Sequence, residues 1–196
     1  MMQKRLITLS LGGLILVGGL SSCSASEQDF SKISEEFFTK ISQEISQALP
    51  PESTPPPTVP QSKSKGAFVS LEQSVHQQIN QYRKSKKLPP LTLNAAITQE
   101  ARKHSEAMAK GQAPFSHEGF DNRVKAIAQS LAYRRAGENL AYNQGYSKPD
   151  EQAVEGWIKS PGHRQNMEGN FDLTGIGVSK NAKGEYYLTQ IFIKRR

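Results

Sequence analysis

Three polar stretches of the chain carry side chains that could do chemistry, and each lies in a turn-rich setting. They are Ser116-His117-Glu118-Gly119, Gly137-Glu138-Asn139 and Ser160-Pro161-Gly162-His163-Arg164-Gln165-Asn166. None of them lies on the apolar stripe of a neighbouring predicted helix, and loops on a rigid scaffold are where functional side chains concentrate. The sequence therefore predicts a polar site assembled from three separate loops.

The commonest catalytic signatures are absent from the sequence. His117-Glu118 is not followed by a second histidine at residue 121, so the chain has no H-E-x-x-H zinc helix. It has no G-x-S-x-G nucleophile elbow and no glycine-rich phosphate loop before a Lys-Ser/Thr pair. The sequence therefore carries none of these three signatures, and its candidate chemistry rests on the three polar stretches.

Four helices and three strands must position the polar stretches. Apolar residues at helical spacing predict helices over Leu71 to Tyr82, Leu93 to Met108, Val124 to Leu131 and Pro149 to Ile158, with Asp121 or Asn122 as the N-cap of the third. Alternating patterns predict strands over Thr174 to Ser179 and Glu185 to Ile193, joined by a turn at Asn181 to Gly184, with a third strand over Glu138 to Tyr142. A lone hairpin is marginally stable, so helices must cover it. We expect an α+β fold with helices on both faces of a small, mainly antiparallel sheet.

The first 22 residues have the layout of a secretory signal. Lys4 and Arg5 form a positive start, Leu6 to Leu20 is apolar and uncharged, and Leu20-Ser21-Ser22 leads into Cys23. The apolar run is shorter than the ~20 residues that a membrane-spanning helix needs. We therefore predict a signal peptide over residues 1–22. An uncleaved anchor is the alternative, and both interpretations export the rest of the chain.

Cys23 is the only cysteine in the protein. An intramolecular disulfide is therefore excluded, and the exported domain must be stable through its core alone. A lone cysteine after Leu-Ser-Ser resembles the bacterial lipobox, in which signal peptidase cuts before a cysteine that becomes lipid-modified. We predict a lipoprotein held on a membrane of the bacterial cell envelope by acyl chains on Cys23, facing the periplasm or the exterior. An incidental free thiol is the alternative.

Two segments separate Cys23 from the globular part of the chain. Residues 23–49 contain a predicted amphipathic helix with its apolar stripe at Ile33, Phe37, Ile41, Ile45 and Leu49. Residues 50–68 are a predicted proline-rich linker, because six of the 11 prolines fall between Pro50 and Pro60. Residues 69–196 form the predicted domain. The sequence leaves open whether residues 30–49 pack on the domain or pair with a second copy, so the oligomeric state is unknown.

The positive charge of the protein belongs to its C-terminal part. Residues 71–196 hold 19 Lys and Arg against 12 Asp and Glu, a net charge of +7, whereas residues 23–70 have a net charge of −2. Clusters occur at Arg83 to Lys87 and Lys194 to Arg196. Nucleic acid is not the expected partner of an exported protein, so the expected counter-charges are anionic lipid or cell-wall polymers. A cationic surface with no specific partner is the alternative.

The globular part also carries six short motifs in a fixed order: Ala101-x-x-His104-Ser105-x-x-Met108, Ser116-His117, Gly137-Glu138-Asn139-Leu140-Ala141, Trp157-x-x-Ser160-Pro161-Gly162-His163-Arg164-x-Asn166, Gly175-Ile176-Gly177-Val178 and Tyr187-x-Thr189-Gln190-x-Phe192. Together they resemble the CAP superfamily of cysteine-rich secretory proteins, antigen 5 and pathogenesis-related 1 proteins, whose domain is also called SCP. The resemblance runs from about Leu71 to Phe192. It implies a three-layer α-β-α sandwich with a large cleft that two histidines and usually two acids enter.

By the same resemblance, the histidines of the cleft are His117 and His163, and its first acid is Glu138. Many eukaryotic members place the second acid where this chain has Ser160, and no motif supports Glu155 as a substitute. The resemblance therefore implies a His–Glu–His triad, with Asn139, Ser160 and Arg164 as supporting residues. The disulfides of the animal members are absent, so channel-blocking or toxin-like roles are not expected.

Three functions are compatible with this site. Two histidines and a carboxylate can bind a divalent metal such as zinc, and a His–Glu pair can act as a general base on water, so a metal-assisted hydrolase is one alternative. A structural envelope protein with a vestigial cleft is another, in which His117, Glu138 and His163 only hold their loops together. The favoured prediction is a binding module that captures a lipid, cell-wall or protein ligand in the cleft, without a catalytic role assigned to any residue.

Overall fold

The computed structural model of the protein describes residues 6–10 and 60–196, with side chains described from residue 66 onward. Cys23 and the amphipathic segment 30–49 therefore lie outside the described residues. The elements follow in the order β1 (Leu6–Ser10), α1 (Pro60–Ser85), β2 (Thr92–Leu93), α2 (Ala95–Ala109), α3 (Phe120–Ala128), β3 (Tyr133–Gln144), α4 (Pro149–Lys159), α5 (Pro161–Glu168), β4 (Leu173–Lys180) and β5 (Glu185–Arg195).

The strands form one sheet in the order β1-β3-β5-β4-β2. All neighbouring pairs are antiparallel except the short β2, which runs parallel to β4. Helices α2 and α3 pack on one face of the sheet, and α1, α4 and α5 pack together on the other side. The predicted three-layer α-β-α sandwich with a mainly antiparallel sheet is confirmed.

Helix α1 begins earlier than the sequence pattern predicts. Its first residue is Pro60, so the range 60–68, predicted as the end of the linker, is helical. Proline is well suited to the first position of a helix, because the N–H that it lacks would have no partner there. The predicted helix over Leu71 to Tyr82 lies within α1, which ends at Ser85.

The start signals of α2 and α3 differ from those predicted. Asn94 is the N-cap of α2, and its Oδ1 accepts hydrogen bonds from the backbone nitrogens of Ala96 and Ile97 at 3.0 and 3.2 Å. Leu93, predicted to open this helix, lies in β2 instead. The N-cap of α3 is Gly119, so the predicted caps Asp121 and Asn122 were wrong and lie in the first turn.

A short helix that the sequence analysis missed carries one of the motif histidines. Pro149–Lys159 forms α4 as predicted, but Ser160-Pro161-Gly162 does not lead into a loop, because Pro161–Glu168 forms α5. Within α5 only His163 and Met167 are buried, so it lacks the long apolar stripe that marks a helix in sequence. The prediction of three loops is corrected here: His117 lies in a loop, Glu138 on β3 and His163 on α5.

Strand β1 lies within the range predicted as the signal peptide. Residues Leu6–Ser10 pair antiparallel with β3, with Ser10 opposite Asn139 and Leu6 opposite Asn143. In the uncleaved chain these residues therefore join the sheet rather than standing outside the fold. An apolar, β-branched run is suited to a sheet edge.

The core between α2 and the sheet depends on two glycines in β4. Ile97 and Ala101 of α2 are buried against Ile191 and Ile193 of β5. A Cβ on Gly177 would lie 2.3 Å from the backbone carbon of Ala101, and one on Gly175 would lie 2.2 Å from the backbone nitrogen of Thr98. Helix α2 therefore lies directly on the backbone of β4, which only glycine permits.

Two large polar-tipped side chains stabilise the other face. Trp157 of α4 is fully buried, and its Nε1 donates to the carbonyl of Leu140 at 2.9 Å. Arg83, predicted as part of a surface cluster, is only 1% exposed. Its guanidinium donates to the carbonyls of Pro89, Met167 and Gly169 at 2.6 to 3.0 Å. Arg83 therefore joins the end of α1 to the segment that follows α5, and it is not available to an external anion.

Candidate functional site

Glu138 is the centre of a buried ionic cluster. It lies opposite Ile191 of β5, and its side chain is fully buried. The guanidinium of Arg123 on α3 donates from Nε to Oε2 at 2.9 Å and from Nη2 to Oε1 at 2.7 Å. This two-point pairing of a planar guanidinium with a carboxylate fixes both the position and the orientation of the Glu138 side chain.

His117 contacts the same carboxylate from the loop between α2 and α3. Its Nδ1 lies 2.9 Å from Glu138 Oε1, and its side chain is only 6% exposed. An ionised carboxylate only accepts hydrogen bonds, so His117 Nδ1 carries the hydrogen and donates it. The prediction that His117 and Glu138 come together is therefore confirmed by a direct hydrogen bond.

His104 of α2 holds the loop that carries His117. Its Nε2 lies 3.1 Å from the carbonyl of Ser116, and its Nδ1 lies 3.4 Å from Arg123 Nη1. A carbonyl accepts and a guanidinium donates, so Nε2 carries the hydrogen and Nδ1 faces the arginine with its lone pair. Burial lowers the pKa of His104, and the positive charge of Arg123 lowers it further.

His163 is joined to the site through its main chain. It is fully buried on α5, and its carbonyl accepts a hydrogen bond from Asn139 Nδ2 at 3.1 Å. Asn166 of the same helix donates from Nδ2 to the carbonyl of Glu138 at 3.1 Å and to Asn139 Oδ1 at 2.9 Å. Asn139 lies in β3, within the range Glu138 to Tyr142 that the sequence predicts as a strand, and it fixes α5 against β3 beside Glu138.

The remaining predicted supporting residues lie at the junction of α4 and α5. Ser160 is the N-cap of α5 and makes no side-chain capping bond. Arg164 donates from Nη1 to the carbonyl of Ile158 at 3.0 Å, which links the two helices. Glu155, considered as a substitute second acid, forms an ion pair with Lys159 one turn along α4.

Arg123 is the functional residue that the sequence analysis missed. Its side chain is only 10% exposed, and besides the two bonds to Glu138 its Nη1 donates to the carbonyl of Glu118 at 3.0 Å. In the sequence, Arg123 directly precedes Val124, which belongs to the predicted apolar stripe of α3. A charged side chain beside such a stripe needs a partner when it is buried. Nothing in the sequence indicates that the partner is Glu138.

The predicted metal set does not fit the observed contacts of Glu138. Both carboxylate oxygens accept hydrogen bonds from Arg123, and Oε1 also accepts one from His117. Within residues 66–196, no group of three or more His, Asp or Glu side chains is arranged to hold a metal ion. Zinc bound by His117, Glu138 and His163 remains a prediction that the contacts of Glu138 do not favour.

His117 lines a polar, open cavity of about 350 Å³ together with Gly119, Phe120, Asp121, Asn122 and Lys125. A larger cavity of about 550 Å³ lies between the start of α1, α2 and the end of β4, and shares no lining residue with the first. The larger one is mainly apolar. We assign the candidate site to the smaller cavity, because only that one contains a side chain of the buried ionic cluster.

Comparison with known proteins identifies the family of the domain that contains this site. The family model described as cysteine-rich secretory protein family, CAP, matches residues 76–192. This chain belongs to the CAP family. The matched range contains the motif residues His117, Glu138 and His163 as well as Arg123 and His104, so the ionic cluster lies inside the CAP domain.

Several bacterial proteins are similar to this chain. The Bacillus subtilis protein YkwD is 33% identical over 130 residues, which are 63% of this chain and 47% of YkwD. The crystal structure of an extracellular protein containing a SCP domain from Bacillus anthracis has 28% identity and a TM-score of 0.54, and the match covers 72% of this chain and 45% of that one. An outer surface protein of Borrelia burgdorferi shares the fold, with a TM-score of 0.56 at 19% identity over 65% of this chain and 94% of that one.

These comparisons also bear on where the protein is found. The chain spans about half the length of the two Bacillus proteins, which are therefore larger than the region compared. The Bacillus anthracis protein, at 28% identity, is described as extracellular, which supports the prediction of export. In the part of the chain that the structure describes, no helix is both long enough and apolar enough to cross a membrane.

Proposed function

We propose that this CAP protein is an exported lipoprotein of the cell envelope and that its cleft, formed around His117 and Glu138, binds a lipid, cell-wall or protein ligand. Binding is the function that the contacts of Glu138 support best. The carboxylate is fully buried and held at both oxygens by Arg123. The Glu138 carboxylate, fixed in this way, holds the His117 ring in one orientation toward the adjacent cavity. Polar groups with a fixed orientation give a binding site its specificity.

The size and charge of the domain are consistent with this proposal. The cavity beside His117, at about 350 Å³, falls within the ~300–1,000 Å³ usual for small-ligand sites. Residues 71–196 carry a net charge of +7, which favours anionic lipid surfaces and wall polymers as partners. A hydrolase would use Glu138 as a metal ligand or as the base that activates water. This role is less compatible with the structure, because the Glu138 oxygens already accept hydrogen bonds from Arg123 and His117.

Replacement of His117 by alanine is expected to weaken ligand binding about tenfold, the effect of losing one hydrogen bond of about 1.4 kcal/mol. The measurement is sedimentation binding of protein solubilised from the envelope, with anionic phospholipid vesicles and purified cell-wall sacculi as separate probes. Binding through the cationic surface should also weaken as salt is raised.

A control variant separates the cleft from the surface charge. Lys183 lies exposed in the turn between β4 and β5, so Lys183→Ala should reduce only the salt-dependent part of the affinity. If His117→Ala and His117→Ala/His163→Ala bind every probe as well as the unmodified protein, the cleft does not bind these ligands. The structural envelope role would then be favoured.

Replacement of Cys23 by serine is expected to remove the membrane anchor. Signal peptidase of the lipoprotein type needs the cysteine, and acyl chains supply the hydrophobic attachment. The measurement is the partition of the protein between membrane and soluble fractions, with mass spectrometry of its N-terminus. An unmodified Cys23 in the natural protein would contradict the lipoprotein proposal and would leave the cleft proposal intact.

A further inference from the structure

Two groups of basic residues that are distant in the sequence meet at one end of the sheet. Strands β3 and β5 pair so that Tyr133 lies opposite Arg195 and Arg135 lies opposite Lys194. Arg196, 63 residues from Tyr133 in the sequence, donates from Nε to the carbonyl of Tyr133 at 3.2 Å. The start of β3 and the end of β5 thus form one surface, which we call the basic end and which consists of Arg134, Arg135, Lys194, Arg195 and Arg196.

An irregularity in β3 exposes both of its arginines. The register of pairing with β5 shifts between Tyr133 and Arg135, which makes Arg134 the extra residue of a β-bulge. Successive side chains of a regular strand point to opposite faces of the sheet, whereas Arg134 and Arg135 are both exposed. The guanidinium of Arg135 lies 4.9 Å from the ring centroid of Phe171. This contact holds the guanidinium in place without neutralising its charge.

The basic end has a surplus of positive charge. Asp172 accepts a hydrogen bond at Oδ2 from Arg195 Nε at 3.1 Å, and the same oxygen lies 3.7 Å from Lys194 Nζ. Among the described residues, Asp172 is the one acid that forms ion pairs with the basic end. Five cationic side chains therefore face one carboxylate, and a surplus of this kind creates a positive potential that attracts polyanions.

The chemistry of the basic end suits phosphate groups that repeat along a chain. Four of its five cations are arginines, and the planar guanidinium can donate two parallel hydrogen bonds to a phosphate. Neighbouring strands lie ~4.8 Å apart, so arginines on β3 and β5 can contact adjacent phosphates of one polymer. Several weak contacts made at once give a polymer a much higher affinity than a single ion.

The basic end lies far from the point where the chain from the predicted anchor enters the domain. The start of α1, with Phe68 and Val69, lines one cavity together with Lys180 to Ala182 at the turn between β4 and β5. The basic end is at the opposite end of β5, a strand of 11 residues and therefore about 35 Å long. Residues 23–59 join the domain at Pro60, the first residue of α1. This position favours contact with the wall over contact with the membrane that holds the anchor.

We propose that the basic end binds an anionic, phosphodiester-linked polymer of the cell wall. Adjacent phosphates of the polymer contact the arginines of β3 and those of β5 at the same time. This role rests on the export and anchoring of the proposed function and is independent of its cleft. The acyl chains hold the protein at the membrane, and the basic end connects its domain to the wall.

Removal of the two arginines of β3 tests this role. Arg134→Gln/Arg135→Gln should weaken binding to poly(glycerol phosphate) about tenfold at low salt and reduce the salt dependence of the affinity, because fewer cation–phosphate contacts release fewer counterions. Arg195→Gln/Arg196→Gln on β5 should have a similar effect, since the two strands form one surface. The measurement is fluorescence anisotropy of the labelled polymer, titrated with full-length protein solubilised from the envelope.

The matched control is Lys110→Gln/Lys183→Gln. Both lysines are exposed near the turn between β4 and β5, at the other end of the domain, and the variant removes the same total charge. Its affinity for the polymer should change by less than about twofold, because salt screens charges at this distance. A loss as large as that of the arginine variants would show that only the net charge of the domain matters, and it would overturn the proposal.

Phosphatidylglycerol vesicles separate the wall from the membrane as the source of phosphate. Acyl chains attach the protein to vesicles at any salt concentration, so only the salt-dependent part of vesicle binding is compared. Arg134→Gln/Arg135→Gln should reduce polymer binding more than this part of vesicle binding. An equal or larger loss of vesicle binding would make the membrane the partner and would contradict the proposal.

The test also separates the basic end from the cleft. None of the five residues lines the cavity beside His117. The arginine variants should therefore keep the difference in ligand affinity that His117→Ala produces. Binding in the cleft and binding of the polymer can thus fail independently of each other.

Discussion

Replacing Gly177 by alanine is expected to lower the free energy of unfolding by at least about 3 kcal/mol, or to prevent folding altogether. The new Cβ would lie 2.3 Å from the backbone carbon of Ala101 and 2.3 Å from the backbone nitrogen of Arg102. These are main-chain atoms of α2, so no change of rotamer can relieve the overlap. Helix α2 would have to move away from β4 and open the core around Ile97 and Ala101.

The measurement is urea unfolding followed by the fluorescence of Trp157, the single tryptophan of the protein, which is fully buried. Gly66→Ala is the matched control. Gly66 is exposed on α1 with nothing within 4 Å of an added Cβ, so alanine should stabilise the helix by about 0.5–1 kcal/mol. Equal stability of Gly177→Ala and the unmodified protein would show that α2 does not lie on β4 as described.

The second large effect is expected at Glu138. Glu138→Met should cost about 3–5 kcal/mol of stability, because it leaves the charge of Arg123 buried without its partner. The hydrogen bond from His117 Nδ1 to Glu138 Oε1 is lost at the same time. The same urea unfolding experiment measures this loss.

A double variant distinguishes a charge effect from a loss of packing. Arg123→Met/Glu138→Met removes both charges, so it should be more stable than Glu138→Met alone, since a buried ion pair can often be replaced by apolar groups at little cost. Glu106→Gln is the control for an exposed pair: Glu106 and Lys110 are both more than half exposed, and its loss should cost at most about 0.5 kcal/mol. Additive losses at Arg123 and Glu138 would show that the two side chains are not coupled.

Much of the fold could be predicted from local pattern. The apolar stripes predicted the helices α1 to α4. The alternation over Thr174 to Ser179 and Glu185 to Ile193 predicted the hairpin of β4 and β5. These patterns are strong because each element buries one face. The period of its apolar residues then distinguishes a helix from a strand. Helix α5 and strand β2 were not predicted, because α5 has only two buried positions and β2 has only two residues.

The site was predicted in part, through motif residues rather than geometry. His117 and Glu138 form the expected contact, and His163 lies on α5, joined to β3 through Asn139. The metal set was predicted from residue types alone, since two histidines and a carboxylate are typical ligands. Residue types do not show which groups already have partners, and Arg123 is the partner that changes the interpretation.

The sequence by itself determined the class of the fold, the family and the two residues at the centre of the cleft, because these depend on periodicity and on short motifs. Only the tertiary structure decided that Arg123 pairs with Glu138 and that Arg83 is buried rather than part of a surface patch. Each arginine meets its partners from distant parts of the chain: Glu138 lies 15 residues from Arg123, and Met167 lies 84 residues from Arg83. These arginines reach their partners only when the helices pack on the sheet. A local sequence pattern contains no information about such contacts.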